Sequence, residues 1–186
     1  MNESDAISLL KHGDINGLEW LVLSYQTRAV RIAYLITRDI PLSEDIVQDA
    51  FVHAYQVIDQ FDDRRPFAPW FMRSVVNSAL KKVRNQARQV PIDPKGNDRG
   101  LQILLENKSG SPEDQAESSE FQRIIWDAMG KLTPRQRAAI VQRYFLEMSE
   151  KEMVRELGSP IGTVEWLLNS ARSKLRALLG SERTSL

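Results

Sequence analysis

A basic segment interleaved with aromatic residues is the strongest chemical signal in this sequence. Residues 64–92 contain seven Lys or Arg residues and no acid, and they also contain Phe67, Trp70 and Phe71. Cations bind phosphates and aromatic rings stack on unpaired bases, so this composition is typical of a surface for single-stranded DNA. A helix with a buried aromatic face and a solvated basic face has the same composition. For Trp70 this second interpretation is at least as good as the first.

The segment that precedes it is acidic. Residues 39–63 contain seven Asp or Glu residues and no Lys or Arg. The two histidines, His12 and His53, are far apart, and no Glu-x-x-His or His-Glu-x-x-His string occurs, so we predict no metal site. No nucleophile–base pair or phosphate-binding glycine loop is recognisable, so we predict no catalytic residue and no cofactor. A solvated helix face is the ordinary explanation of such a charge run.

Composition narrows the class of protein. The chain has 186 residues, a formal net charge of zero and no cysteine, which excludes a disulfide framework or a thiolate site. The start, MNESDAISLL, contains no long apolar run, and no signal peptide or transmembrane helix is recognisable. We therefore expect a cytoplasmic protein without membrane insertion, built as one large or two small domains.

Residues 132–175 predict three short helices with marked boundaries. Thr133 and Gln136 are placed to form a capping box around the first helix, and Ser149 and Glu152 to form one around the second. Each box would satisfy backbone amides that the first turn of a helix leaves unpaired. The alternative for this segment is a plain three-helix bundle.

The turn between the second and third of these helices reads Gly158-Ser159-Pro160, in which Gly158 ends one helix and Ser159 caps the next. Two helices joined by such a tight turn form a helix-turn-helix, whose second helix enters the major groove of DNA. At 100° per residue the third helix has one apolar stripe, which should pack on the preceding helices: Val164, Leu168, Ala171 and Leu175 against Ile140, Tyr144, Met153 and Leu157. The opposite face and its flank are the candidate base reader: Gly162, Glu165, Trp166, Asn169, Ser170, Arg172 and Ser173.

The remaining patterns predict an all-α fold with two small helical domains joined by a flexible linker. Residues 1–90 have helical periodicity, with a new helix capped by Ser43 after the break at Pro41. Residues 91–118 are acidic and are broken by six Gly or Pro residues, so we expect a linker that lets the two domains move separately. Residues 119–180 form the second domain, which contains the helix-turn-helix.

Four strings resemble the extracytoplasmic-function (ECF) group of bacterial sigma factors. S-E-D-I-V-Q-D-A-F-V-H-A-Y resembles the helix that binds the largest subunit of RNA polymerase in that family. F-A-P-W-F-M-R-S-V-V-N-S-A-L-K-K-V-R resembles the promoter-melting part of sigma region 2, and L-T-P-R-Q-R with P-I-G-T-V resembles region 4. Their order matches that of the family over nearly the whole chain, with an acidic linker between the second and third.

The resemblance implies that the protein binds core RNA polymerase, directs it to promoters and opens the DNA, with an anti-sigma protein as a possible further partner. It places core polymerase contacts at Asp45, Gln48, Asp49 and Phe51. It places minus-ten DNA contacts at Trp70, Arg73, Asn77, Lys81, Lys82 and Arg84. Minus-thirty-five contacts would come from the third helix and its turn: Ser159, Gly162, Thr163, Glu165, Trp166, Asn169, Ser170 and Arg172.

The third helix departs from the family pattern. Where the family usually has a basic residue, a small polar residue and an arginine, followed three positions later by another basic residue, this chain has Glu165, Trp166, Leu167 and Ser170. Leu167 lies near the apolar stripe and is a candidate core residue. Trp166 lies opposite that stripe, so we expect it to be exposed, either to contact thymine methyls in the groove or to anchor a protein partner.

Two other functional classes fit parts of the sequence. The first is a regulator of the LuxR type, in which residues 1–90 would form a sensing or dimerisation domain and the helix-turn-helix would bind duplex DNA. The function of such a regulator does not explain why an acidic helix, residues 39–63, is followed by a basic one, residues 64–92. The second is an enzyme with a helical active site, which lacks support because no convergent polar cluster is recognisable.

Overall fold

The computed structural model describes residues 1–86 and 123–182, and the regular elements within these ranges are all helical. We call residues 1–86 the N-terminal half and residues 123–182 the C-terminal half. The N-terminal half contains four α-helices and one short 3₁₀ turn: α1 (Glu3–Lys11), α2 (Asn16–Thr37), α3 (Ile40–Val57), the 3₁₀ turn (Ile58–Gln60) and α4 (Phe67–Gln86). The linker predicted at 91–118 lies outside the described residues.

The C-terminal half contains the three predicted helices and one more before them. Its elements are α5 (123–130), α6 (Pro134–Ile140), a π-helical turn (Val141–Phe145), α7 (Glu150–Leu157) and α8 (Ile161–Glu182). Both predicted capping boxes are confirmed, because Thr133 accepts from the amide of Gln136 and Ser149 accepts from the amide of Glu152. These caps fix where α6 and α7 begin.

The turn of the helix-turn-helix also has the predicted geometry. Gly158 ends α7 with φ 56° and ψ 38°, a left-handed conformation that costs glycine little and other residues more. Behind the turn, α7 and α8 close over a small apolar cluster. Its buried members are Ala139, Met148, Met153, Val164, Leu167 and Leu168.

Two predicted helix starts are wrong. Helix α3 begins at Ile40, three residues before Ser43, because the carboxylate of Asp39 accepts from the amide of Leu42 and Pro41 fits in the first turn. Ser43 is buried and donates to the carbonyl oxygen of Asp39 at 2.6 Å. A proline occurs in the first turn of a helix as well as at a break between helices, and the periodicity of apolar residues alone does not distinguish the two cases.

The start of α8 and one predicted core residue also differ. The hydroxyl of Ser159 donates to the carbonyl oxygen of Leu157 at 3.1 Å and accepts from Arg135 at 2.7 Å, instead of capping α8. Tyr144, predicted to pack under the apolar stripe, is 56 % exposed. It lies in the π-helical turn, where the extra residue per turn shifts side chains relative to an α-helix.

The two halves share one hydrophobic core. Buried residues of α5 and α6 belong to the same cluster as those of α1 to α4. At its centre the ring of Trp126 stacks on the ring of Tyr34 with centroids 4.4 Å apart, and both side chains are at most 5 % exposed. The structure therefore places the two halves in direct contact through the C-terminal end of α2.

Two arginines reinforce this contact. Arg137 on α6 donates to the carbonyl oxygens of Ile36 and Leu132, and burial, together with the nearby charge of Arg38, lowers its pKa to about 10. Arg38 lies 3.9 Å over the ring of Trp126 and donates to the Trp126 carbonyl oxygen at 3.0 Å. These bonds satisfy backbone carbonyls that are buried or partly buried at the contact.

A glycine makes room for the second arginine. A Cβ atom at Gly130 would come within 2.7 Å of Nη1 and 2.8 Å of Cζ of Arg38. Those distances are far shorter than a normal contact, so the guanidinium could not stay where it is if position 130 carried a side chain.

Among the described helices, none combines the length and the apolar character needed to cross a membrane.

Candidate nucleic-acid interface

The exposed face of α3 carries the predicted polar residues. Asp45, Gln48 and Asp49 are all exposed, while Ile46, Val47 and Ala50 on the opposite face are buried, as the helical spacing requires. The same exposed face continues through Val52, which is 56 % exposed, and Tyr55, which is 42 % exposed. The result is an acidic patch with an apolar end, which we call the α3 face.

Phe51 is not part of this face. Its side chain is 5 % exposed and its ring lies 4.3 Å from the ring of Phe71 on α4. It therefore holds α3 against α4, and we assign it to the core rather than to a contact surface.

Helix α4 divides its predicted DNA-contacting residues between two environments. Lys81, Lys82 and Arg84 at its C-terminal end are exposed, and Lys82 lies 3.6 Å from Asp49 of the α3 face in a solvent-exposed ion pair. Trp70 is partly buried, with its ring 5.1 Å from that of Phe61 and 5.5 Å from that of Phe67. Packing against Phe61 and Phe67 thus buries part of the Trp70 side chain, as expected for a core residue. Only its exposed part is available to stack on a base.

The other two residues of α4 contact the helix-turn-helix. Arg73 donates to Glu152 at 2.6 Å, and Asn77 donates to Glu156 at 2.6 Å. Glu152 and Glu156 are one helical turn apart on α7, and Arg73 and Asn77 are one turn apart on α4, so the two pairs stack as adjacent rungs. We call these two contacts the α4–α7 latch.

Several hydrogen bonds stabilise the ionised form of the Glu152 side chain. Its pKa is lowered to about 2, first because it accepts from the backbone and hydroxyl of Ser149 in the capping box, and then because of Arg73. Both Ser149 bonds are short, at 2.9 Å from the amide and 2.8 Å from the hydroxyl. At neutral pH the latch therefore presents a full negative charge to Arg73.

The recognition helix α8 exposes a reading face with an unusual chemistry. Trp166 is 62 % exposed, as predicted, and Leu167 is 3 % exposed in the core. Gly162, Glu165 and Asn169 are exposed on the same side as Trp166. This face presents an indole, a carboxylate and an amide in place of the basic residues that usually meet DNA.

Three of the other predicted reading residues have structural partners. Ser159 is buried in the turn, and half-buried Ser170 accepts from Gln136 at 2.9 Å. Arg172 donates to the hydroxyl of Tyr144 at 2.8 Å and to Asn169 at 3.4 Å. Thr163 is half-buried in the first turn of α8. These residues set the position of the helix, and their polar groups are largely used within the protein.

Sequence patterns do not single out several residues that the structure places on these surfaces. Ile161, 46 % exposed at the start of α8, directly follows the predicted turn and carries no signal of its own. Val52 and Tyr55 follow Gln48 at helical spacing, so the signal for an apolar end of the α3 face is present. Glu152 is predicted only as part of the capping box, and nothing in the sequence indicates that it also contacts α4.

Among the described residues, no group of three or more His, Asp or Glu side chains could hold a metal ion.

Comparison with protein families matches the two halves separately. Residues 21–89 match the family model of Sigma-70 region 2, and residues 122–175 match that of Sigma-70 region 4. A match to region 2 disfavours a LuxR-type regulator, since such a protein would have a sensing or dimerisation domain in that position.

Curated relatives match the chain over nearly its full length. The ECF RNA polymerase sigma factor SigW of Bacillus subtilis (strain 168) is 30 % identical, over 93 % of this chain and 94 % of SigW. The ECF RNA polymerase sigma-E factor of Escherichia coli (strain K12) is 27 % identical, over 91 % of this chain and 90 % of that protein.

Solved structures agree on the fold. CnrH, in a complex with the cytosolic domain of CnrY, superposes with a TM-score of 0.61 at 23 % identity, over 96 % of this chain and 97 % of CnrH. The sigma factor RpoE of Bartonella quintana, in a complex with the anti-sigma factor NepR, gives 0.57 at 21 % identity, over 87 % and 96 %. Together with the near full-length match to SigW, these findings establish that the chain belongs to the ECF sigma factors of RNA polymerase.

Proposed function

We propose that this protein binds core RNA polymerase, directs it to specific promoters and promotes opening of the DNA at the start of transcription. The observation that carries the proposal is the order of three surfaces along one chain of this family. They are the exposed acidic α3 face, the basic end of α4 and the exposed reading face of α8. Each offers a different chemistry, and each suits a different partner.

The α3 face is the proposed polymerase contact. Asp45, Gln48 and Asp49 supply the polar part, and Val52 and Tyr55 supply apolar area, which most stable protein interfaces need at their centre. Charge complementarity at such a face sets the association rate and excludes wrong partners.

The C-terminal end of α4 is the proposed contact with melted minus-ten DNA. Lys81, Lys82 and Arg84 are exposed along one end of the helix and would bind phosphates. Nearer the N-terminus of the helix, three residues would contact unpaired bases: Arg73, Asn77 and Trp70 through its exposed edge. Of these six residues, Arg73 and Asn77 are engaged by α7 in this structure.

The α8 face is the proposed reader of the minus-thirty-five element. Trp166 would contact thymine methyls and sugars, and Glu165 would accept from the amino group of a cytosine. Because Glu165 also repels phosphate, affinity must come from cations around the face. The exposed candidates are Arg155, Lys174 and Arg176.

On this proposal the protein acts in the cytoplasm, where polymerase and promoter are, and it supplies binding and strand separation while the polymerase carries out the chemistry. An anti-sigma protein stays a prediction for this chain.

The direct test is transcription in vitro from a fragmented genomic library, with purified core polymerase and this protein. We expect discrete transcripts whose upstream sequences share two elements, and none with core polymerase alone. A sigma factor of another group is the control for template quality. If the protein fails to shift core polymerase on a gel-filtration column and yields no transcript, the proposed function is wrong.

A further inference from the structure

We propose that helix α1 positions the base-contacting end of α4, and that Glu3 and Lys11 are the positioning residues. The inference rests on the proposed function, because it concerns how the same α4 helix meets melted minus-ten DNA. It adds a role for α1, since the match to Sigma-70 region 2 begins at residue 21 and leaves this helix outside it.

The start of α4 has no side-chain cap from its own neighbours. Its first residue is Phe67, the residue before it is Pro66, and its first turn contains no acid. The first amides of a helix have no partner within that helix, and a proline side chain has no acceptor for them. The amide of Phe67 instead donates to Glu3 at 3.1 Å, across 64 residues of sequence. The carboxylate of Glu3 thus caps α4 from another helix, and its negative charge is favourable at this end of the helix dipole.

Tyr25 on α2 orients the Glu3 carboxylate. Its hydroxyl donates to Oε2 of Glu3, while Oε1 accepts from the amide of Phe67, so both carboxylate oxygens are used. The ring of Tyr25 lies 5.6 Å from the ring of Phe67. Burial, and then the hydrogen bond to Glu3, raise the pKa of Tyr25 to about 12, so the hydroxyl keeps its proton at neutral pH. The carboxylate is therefore held in one orientation toward α4.

The other end of α1 holds the segment that leads into α4. Lys11 donates to the carbonyl oxygen of Phe61 at 2.8 Å and pairs with Asp63 at 2.7 Å. Phe61 follows the 3₁₀ turn and Phe67 begins α4, so α1 fixes both ends of residues 62–66. The side chain of Lys11 is 22 % exposed, so water screens this contact less than it screens a pair on the open surface.

Helix α1 is itself firmly packed. Ala6, Ile7 and Leu10 are buried in the core. A Cβ atom at Gly17, in the first turn of α2, would collide with the carbonyl oxygen of Ala6, so the two backbones approach more closely than a side chain would allow. This close packing restricts movement of α1 relative to α2 and makes α1 a stable support for its contacts with the start of α4.

Two aromatic rings connect α1 to a proposed base-contacting residue. Phe61 and Phe67 are buried, and the ring of Trp70 lies 5.1 Å from the first and 5.5 Å from the second. A shift at either end of residues 62–66 would move a ring on which Trp70 packs, and the exposed edge of Trp70 would move with it. A binding surface that must be ordered when its ligand arrives loses affinity. Glu3 and Lys11 therefore act on DNA through Trp70, without touching DNA themselves.

The capping contact can be measured in the free protein by hydrogen exchange of the Phe67 amide, followed by NMR. We expect slow exchange in the wild type and in Glu3→Gln, whose amide oxygen still accepts. Exchange should be about tenfold faster in Glu3→Ala, the effect of losing a hydrogen bond to a charged group. Glu19→Ala, which removes an exposed acid from the first turn of α2, is the matched control and should exchange as the wild type does. Equal exchange in Glu3→Ala and the wild type would overturn the proposal.

The effect on DNA is measured with core polymerase and a premelted duplex bubble of mixed sequence. In the bubble, 2-aminopurine replaces single bases of the non-template strand, and its fluorescence reports stacking. We expect Glu3→Ala and Lys11→Met to weaken bubble binding by about fivefold, the lower end of what one stacked base contributes. Both should change the fluorescence at the same position as Trp70→Ala does, whereas their binding to core polymerase should equal that of the wild type.

A double-mutant cycle separates positioning from a general loss of structure. Because Glu3 acts through Trp70, Trp70→Ala should cost less affinity for the bubble in the Glu3→Ala background than in the wild type. Glu3→Gln should restore binding, which a role of the negative charge alone would not allow. Strictly additive losses would overturn the proposal, and so would bubble binding by Glu3→Ala and Lys11→Met that equals wild-type binding.

These outcomes are distinct from those of the proposed function. A wild-type protein that drives transcription, together with a Glu3→Ala variant that binds the bubble normally, disproves only the positioning role. A wild-type protein that does not bind core polymerase disproves the function. The exchange rate of the Phe67 amide then still decides whether Glu3 holds the start of α4.

Discussion

Arg137 donates two hydrogen bonds to a single acceptor 101 residues away in sequence, the carbonyl oxygen of Ile36, from Nε at 3.0 Å and from Nη2 at 2.7 Å. A third bond, from Nη1 to Leu132, completes the fork at 2.7 Å. The arginine thus satisfies one carbonyl on each side of the contact between the halves. A lysine could not do so, because its ammonium lacks the planar geometry that reaches both.

Replacing Arg137 should weaken that contact. In Arg137→Met both carbonyls lose their donor while staying buried, so we expect the free energy of unfolding to fall by about 1–3 kcal/mol. Arg137→Lys should recover only part of the loss. Chemical denaturation monitored by circular dichroism measures this, with Lys131→Met, an exposed position in the same half, as the control. Equal stability of Arg137→Met and the wild type would contradict the structural role.

The capping box, more than the latch, should control the titration of Glu152. Its pKa is lowered from 4.5 to about 2, with Ser149 as the first cause and Arg73 as a later one. Ser149→Ala removes only the hydroxyl bond and keeps the amide bond, which is the largest cause, so the Glu152 pKa should stay below 4.5 in this variant as well as in Arg73→Ala. Carbon-detected NMR titration of the Glu152 carboxyl group measures both, and a pKa of 4.5 or higher in either variant would be inconsistent with the amide bond.

This shift also fixes the pH range in which Glu152 affects stability. A carboxylate whose folded pKa is depressed stabilises the fold fully above its unfolded pKa, here 4.5, and loses that contribution as the pH falls through about 2. Unfolding free energy should therefore depend less on pH below 4.5 in Glu152→Gln than in the wild type. Above that range the two should run parallel.

Reversing one charge on the α3 face should weaken polymerase binding. Asp49→Arg replaces an exposed acid by a base and gives up only a solvent-exposed pair with Lys82, so the fold should survive. We expect a higher dissociation constant for core polymerase by fluorescence titration, with an unchanged circular dichroism spectrum. Asp59→Arg, an exposed acid in the 3₁₀ turn, is the control for charge alone. Unchanged affinity of Asp49→Arg would remove α3 from the interface.

Lys82 should contribute to DNA opening through a phosphate. Lys82→Ala should weaken open-complex formation and reduce the slope of log affinity against log salt by about one unit. Permanganate footprinting at several salt concentrations reports both quantities. Lys131→Ala removes an exposed cation from the other half and should leave the footprint as it is. Identical footprints for Lys82→Ala and the wild type would rule out this surface.

The reading face of α8 should respond in opposite ways to two substitutions. Glu165→Lys removes a repulsion from phosphate, so it should tighten duplex binding and relax sequence preference. Trp166→Ala should lose contacts to thymine methyls and weaken binding to a cognate promoter. Gel-shift titrations on cognate and scrambled duplexes measure both, with Glu147→Lys as a charge control outside α8. If neither change alters promoter binding, Trp166 is free to act as an anchor for a protein partner.

Local signals in the sequence are sufficient for the first two helices and the turn of the helix-turn-helix, but not for the cap of α8. Thr133, Ser149 and Gly158 act through bonds to residues at most four positions away, so their types and spacing identify the caps. The exposure of Trp166 follows from helical geometry in the same way. Family resemblance, rather than any local pattern, supplies the assignment of surfaces to polymerase and promoter.

Contacts between the halves could not be predicted in this way. Arg73 meets Glu152 across 79 residues, and Arg137 meets Ile36 across 101. No periodicity connects such pairs, because the contact depends on how two separately patterned units dock. The misassigned cap at Ser43 has a different cause: Asp39 and Ser43 are both good caps, and only the backbone geometry before Pro41 decides between them.

The space left by Gly130 restricts how freely the halves can be exchanged between related proteins. A chimera that joins this N-terminal half to the C-terminal half of a relative would keep Arg38 in this position only if that residue again had no side chain. A methyl group there could be accommodated only if Arg38 moved aside, with loss of its bond to the Trp126 carbonyl oxygen and of its place over the indole ring. Modules that look interchangeable by sequence would then lose these Arg38 contacts, and the two halves would be held together less tightly at this point.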